Sequence, residues 1–286
     1  MASTHGSQTF ETIARIYHES AHCTFEKVDI DMGDVTWFEA DLCAPLGAIL
    51  YSISEALNTV TLVNMSQPLK VALARNAFLS YYGSERIPDG FGTTIEYKRF
   101  EVKDDRYFAE YIEYKLMHHT EMPNMSDGLA KKFRESIFEI FNNAVTHSET
   151  KHGIFSCGQY FPKKHLLKFT IADLGVGIPK NVRKINGLDQ LTAAETIDWA
   201  TRENHTTKRG KVPGGLGLKL IKEFIDKNGG TLQIVSDFGI WEFSGGSPRL
   251  ALMKHPFPGT FVRIWINTAD TKSYEMTSER KNFDIF

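Results

Sequence analysis

The stretch SDGLAKKFRESIFEIFNNAVTHS, from Ser126 to Ser148, leaves this 286-residue chain the least local freedom. Leu129, Phe133, Ile137, Ile140, Phe141, Ala144 and Val145 recur at three- and four-residue steps. That period lays them on one stripe of a helix and scatters them over both faces of a strand. Ser126 offers an N-cap oxygen, so the spacing predicts a helix from about Asp127 to His147. Lys132, Glu135, Ser136, Glu139, Asn143 and Thr146 fall on the opposite face, with Glu139 and Asn143 one turn apart. A polar helix face is ordinarily just solvated, so this pair takes meaning only from what surrounds it.

After the helix, GIFSCGQYF and HLLKFTIAD read as paired strands, the second alternating Leu167, Phe169 and Ile171 and ending on Asp173. A tight LGVGIP turn follows. Thr192 and Glu195 have the spacing of a capping box for a helix over AAETIDWATREN. HTTKRGKVPGG holds three basic residues, three glycines and a single large apolar side chain, Val212, and is expected to be a mobile loop. LGLKLIKEFIDKN predicts a helix stopped by Gly229 and Gly230. TLQIVSD predicts a strand, then a loop containing SGGSPRL, then a last strand TFVRIWI after FPG, with a loosely docked tail from about residue 271.

The first third has a different rhythm. Between residues 25 and 84, strand, helix, strand and helix patterns alternate, with Pro68 opening the second helix, and this argues a small α/β domain. Residues 85–98, rich in Gly, Pro and Thr, read as a boundary before a helical RYFAEYIEYKLMHH. At 42% hydrophobic and 12% aromatic the chain can fill two cores. A net charge of -2 carries no nucleic-acid signature. Cys23, Cys43 and Cys157 have no metal-ligand spacing and are expected to be reduced and mostly buried. No leader pattern or apolar run of about 18 residues is present, so the expectation is a cytoplasmic protein without a membrane span.

Taken in order, ESIFEIFNNAVTHS, DLGVGIP, TTKRGKVPGGLGLKL and PGTF resemble the motif boxes of the GHKL, or Bergerat-fold, ATPases over roughly residues 120–268. The family includes gyrase, the heat-shock chaperone, the mismatch-repair ATPase, sensor histidine kinases and anti-sigma-factor serine kinases. The resemblance implies ATP and Mg2+ as cofactors, with Asn143 the metal ligand through its amide oxygen. It implies that Asp173 accepts a hydrogen bond from the adenine amine, with Gly175 and Gly177 letting backbone approach the nucleotide. Gly214, Gly215, Leu216 and Gly217 would present backbone amides to the phosphates at a helix N-terminus. Lys208 is the candidate phosphate cation, with Arg209 and Lys211 behind it, His147 is a further candidate phosphate contact, and Thr260 belongs near the adenine edge. Pro213 and Gly214 stand where the family commonly has Gly-Thr, which alters the lid contacts and leaves the box intact.

Four residues before the metal asparagine, the family's histidine kinases often carry a second asparagine, whereas the gyrase-like ATPases and serine kinases carry glutamate. Glu139 places the chain with the latter, as a general base for a water or a hydroxyl. Neither His18 nor His118 and His119 sits in a long helical pair, so these read as ordinary surface histidines. Residues 25–84 look like a STAS-like domain, in which VTWFEADLCAPLGAIL matches the central motif with Ala40 or Asp41 where the phosphoserine would stand. Asp41 is then a permanent negative charge in a docking module. The implied organisation is a STAS-like domain over 1–84, a linker and connecting helix over 85–119, a GHKL ATP-binding domain over 120–270 and a tail over 271–286. The fold class is α/β, an α+β sandwich with a mixed sheet and helices on one face of the second domain. The implied function is Mg2+-dependent ATP hydrolysis with lid closure controlling a protein partner. A serine/threonine kinase of a partner-switching system and a non-hydrolysing ATP sensor are the alternatives, and a homodimer follows by analogy with relatives.

Overall fold

The computed structural model describes residues 6–202 and 216–276, and of His147, Leu216 and Gly217 the backbone alone. The chain opens with α1 (Ser7–Ser20), β1 (Lys27–Asp31), α2 (Cys43–Glu55), β2 (Thr59–Val63) and α3 (Gln67–Arg75). Next come β3 (Thr94–Phe100) and α4 (Asp105–Tyr111), which runs on as a π-helical segment to Met117. The remainder is α5 (Asp127–His147), β4 (Ile154–Phe161), β5 (Leu166–Asp173), α6 (Gly177–Val182), α7 (Ala193–Ala200), α8 (Leu216–Asn228), β6 (Thr231–Ser244) and β7 (Ser247–Asn267).

α5 forms as its pattern demands. The Ser126 hydroxyl accepts from the Leu129 N–H at 3.2 Å, and the whole apolar stripe turns inward, with Phe133, Ile137 and Phe141 fully buried. Each such ring or branched side chain contributes about 1.5–3 kcal/mol by leaving water. α7 starts with the capping box of Thr192 and Glu195, and α8 stops at Gly229, whose φ of 68° suits a residue without Cβ.

Five strands form one sheet in the order β3-β4-β5-β7-β6, with every neighbouring pair antiparallel. Because side chains alternate along a strand, the two faces are distinct. Phe169, Ile171, Leu232, Ile234 and Ile264 point to the face covered by α4, α5 and α8. Phe155, Cys157, Ala172, Leu174, Val235 and Phe261 point to the other face, where α1, α2 and α3 pack. The fold class expected from the sequence is thus present, but the sheet carries helices on both faces and contains no parallel pair.

Four parts differ from the sequence reading. Residues 85–119, read as a linker and connecting helix, supply besides the helix α4 the edge strand β3, paired with β4. α1, for which no helix was expected, docks on β7 through Phe10 against Phe261, ring centroids 5.2 Å apart. SGGSPRL is a two-glycine turn, Gly245 and Gly246 both at positive φ, joining β6 and β7 into one long hairpin. The tail is held as far as Tyr274, which is buried and exchanges backbone hydrogen bonds with Asn124 and Ser126.

Residues 27–63 form β1, α2 and β2 with a two-stranded parallel pairing, and α2, buried on all sides from Cys43 to Leu50, packs against β4 and β5. Asp41, read as a permanent negative charge where a phosphoserine would stand, is wholly buried. The Arg263 side chain donates to Asp41 Oδ2 at 2.7 and 2.9 Å and to Glu39 at 2.8 Å, while the Lys168 ammonium donates to Glu39 at 2.6 Å. The charge is spent inside the fold, because Arg263, Lys168 and Gln233 all point from the sheet toward the turn that carries Asp41. Cys43 and Cys157 are buried free thiols in the same region and Cys23 is half-buried, as composition suggested.

Candidate functional site

The face of the sheet under α5 ends in a row of polar groups. Asp173, the last residue of β5, is the direct cross-strand partner of Thr260 on β7, and Thr260 is the partner of Ser236 on β6. All three share the side of Ile171 and Ile234, toward α5, since alternation sends Ala172, Val235 and Phe261 the other way. The resemblance to the family's motif boxes pointed to Asp173 and Thr260. Ser236 was missed, although a hydroxyl in the apolar run TLQIVSD is the kind of signal that marks such a position.

Ser236 ties the row together. Its hydroxyl donates to the Gly259 carbonyl at 2.7 Å, lies 2.9 Å from Thr260 Oγ1 and accepts from the Ile178 N–H at 2.9 Å. The turn after Asp173 is therefore pinned to β6 and β7 at once. Gly177, at φ 75°, holds a conformation that L side chains seldom adopt. Gly175 is excluded from carrying any side chain for a different reason. A Cβ there would lie 2.1 Å from the Ser148 carbonyl oxygen, which accepts from the Val176 N–H at 2.7 Å. Ser148, a second residue the motif reading missed, thus clamps the C-terminus of α5 to the glycine turn.

Asp173 is the electrostatic centre of this arrangement. It is 5% exposed, and its Oδ1 has no hydrogen-bond partner. Burial pushes the carboxyl up to about 7, only partly opposed by the Ser148 hydroxyl and the Gly175 N–H beside it. A buried acceptor without a donor costs free energy, which a bound group presenting an N–H would restore. An adenine amine meets that requirement, so the residues present fit the nucleotide that the motifs imply.

Glu139 and Asn143 are half-buried on α5, one turn apart and upstream of the Ser148 clamp. Their amide and carboxylate oxygens are the hard donors that Mg2+ prefers. His147 is the last residue of α5, and Leu216 and Gly217 open α8. Lys208, Arg209, Lys211, Gly214 and Gly215, with the loop expected to be mobile, lie outside the described residues. The fold therefore brings Asp173, Gly175, Gly177 and Thr260 into direct contact and ties them to α5, which carries Glu139, Asn143 and His147. No helix among the described residues is long and apolar enough to cross a membrane.

Comparison with known proteins agrees with this geometry. The family model described as histidine kinase-, DNA gyrase B- and HSP90-like ATPase matches residues 128–270, half of the chain and the whole of the site. No curated protein matches the chain. The matched span runs from the first turn of α5 to the end of β7 and includes the Asp173 turn, and the chain belongs to the histidine kinase-, DNA gyrase B- and HSP90-like ATPase family.

Proposed function

We propose that the chain binds ATP with Mg2+ and hydrolyses it, with Glu139 as general base. The observation that carries this reading is the buried Asp173 carboxylate, whose Oδ1 is left for an N–H donor at the head of a glycine turn. Its ionised form accepts from the adenine amine, and Thr260 stands beside it across the strand pair. Asn143 holds Mg2+, which when bound neutralises charge on the phosphates. Lys208 and the backbone of Gly214 to Gly217 receive the phosphates at the start of α8, with His147 near them, and the segment closes as a lid.

In the chemical step a water oxygen bonds to the γ-phosphorus as the bridging oxygen leaves with ADP, and the water proton passes to the Glu139 carboxylate. Such a base is worth about 10²–10⁴-fold in rate. Lid closure over the nucleotide alters how the chain meets a protein partner, for which the STAS-like unit of residues 1–84 is the docking module. ATP labelled at the γ-phosphate tests the reaction, with and without cell extract. Label released as free phosphate is the expected result; label transferred to an added protein would convert the reading to a protein kinase, and no turnover would make the chain an ATP sensor.

A further inference from the structure

On the face of the sheet opposite Asp173, a cavity of about 590 Å³ lies between α1, α6 and the β6–β7 hairpin. Val176, Pro256, Phe257 and Pro258 form apolar walls, while Lys180, Arg183, Lys184, His18 and Asp237 supply polar groups. Phe257 belongs to the core on the α1 side, so the cavity lies behind the nucleotide face under α5. Gly175, Gly177 and Gly259 line the cavity themselves and stand between its apolar walls and Asp173. The partition is one backbone thick: a Cβ at Gly259 would lie 2.2 Å from the Asp173 carbonyl oxygen.

Three features show that the cavity is built into the fold. Asp237, a non-glycine residue, is held at φ 53°, and the β6–β7 register slips on both sides of it. Left-handed backbone and bulges cost free energy and gather where a side chain must be re-aimed. Arg183 is anchored by two donations to the Leu191 carbonyl, at 3.1 and 3.2 Å, and its remaining nitrogen lies 3.7 Å from Asp237 Oδ2. His18 is fixed to the Pro256 carbonyl at 2.9 Å. Arg183 faces the half-buried Asp237, while Lys180 and Lys184, the latter donating to Asn181 Oδ1 at 3.1 Å, line the cavity with no carboxylate of their own in its wall among the described residues, which leaves positive charge in excess beside an acceptor and flat apolar walls.

We propose that this cavity is a second ligand site, which takes a nucleoside monophosphate or a closely similar heterocyclic phosphate. The phosphate sits on Lys180 and Lys184, with Arg183 adding field. The ring lies against Phe257 and the prolines, and an N–H on its edge donates to Asp237. The volume suits a ligand of that size.

The test titrates the full chain with guanosine monophosphate, with and without saturating non-hydrolysable ATP analogue, followed by ligand-observed NMR and calorimetry. Binding should persist when the analogue is present, and Lys180→Glu/Lys184→Glu, two exposed positions, should weaken it at least tenfold while leaving ATP analogue binding in place. Phenyl phosphate, which lacks the N–H, should bind more weakly, and Asp237→Asn should weaken guanosine monophosphate alone. Absence of saturable binding at millimolar ligand, full displacement by the ATP analogue, or indifference to the double lysine variant would overturn the site. Equal binding of phenyl phosphate, with no effect of Asp237→Asn, would overturn the nucleoside assignment.

Discussion

Neutralising Asp173 should change how stability depends on pH. In the unfolded chain this carboxyl titrates near 3.8, and in the fold it is pushed up to about 7. Between those values the native state holds a proton that the unfolded state has released, so stability falls as pH rises through the window and the loss is complete above about 7. The whole shift corresponds to about 4 kcal/mol, and the part between pH 5 and pH 8 to roughly 3 kcal/mol. For a chain of this length, with an unfolding entropy of about 0.6 kcal/mol per degree, that becomes a fall in Tm of about 5 °C. Asp173→Asn keeps the shape and removes the titration, so the difference between wild-type and variant Tm should slope across pH 5 to 8. Calorimetric melting of both proteins in a matched buffer series reads this directly. A difference curve flat over that range would refute the argument that burial of Asp173 holds an unfavourable charge. ATP should reverse the effect, since an N–H donated to Oδ1 favours the ionised form. Wild-type affinity should therefore fall up to tenfold per pH unit below 7, and binding at pH 7 should release protons.

Glu139→Gln should bind ATP with near wild-type affinity and lose about 10²–10⁴-fold in turnover, measured by phosphate release. Normal turnover in that variant would remove Glu139 as the base. Asn143→Ala should lose the Mg2+-dependent part of ATP binding, read as the difference between titrations with the metal and with chelator. Phe133→Ala should cost about 3–5 kcal/mol in denaturant unfolding, because a fully buried ring leaves a cavity under α5. Arg263→Met should cost about 3–5 kcal/mol, since it strands Asp41 and Glu39 without their guanidinium. The joint variant Arg263→Met with Asp41→Asn, which leaves Glu39 paired with Lys168, should recover much of that loss, and failure to recover would show that packing, not charge, is what Arg263 supplies at Asp41.

Legibility followed the range of the forces involved. The α5 stripe, the Ser126 cap, the Thr192 and Glu195 box and the Gly229 stop were readable because each depends on residues within one or two helical turns. Asp173, its glycines and Thr260 were readable because a glycine turn after a buried strand and a Gly-Thr before another are local patterns whose order resembles a family. Ser148 and Ser236 were not, since a serine acquires its role only from the carbonyls and N–H groups that other strands bring to it. β3 was hidden in a segment whose Gly, Pro and Thr mark a boundary, because an edge strand needs only one paired side and so leaves a weak pattern.

Asp41 shows the same division most plainly. Local sequence determined that a carboxylate stands just before an apolar helix, in a chain whose second half carries the boxes of an ATP-binding fold. Only the tertiary structure decided that this carboxylate faces Arg263 instead of solvent, that α1 and α2 close the second face of the sheet, and that a cavity lies behind the glycine turn after Asp173. Periodicity, caps and turns are written within a few residues. Ion pairing, strand order and shared walls depend on residues more than 80 or 200 positions apart, and no local pattern encodes which of them will meet.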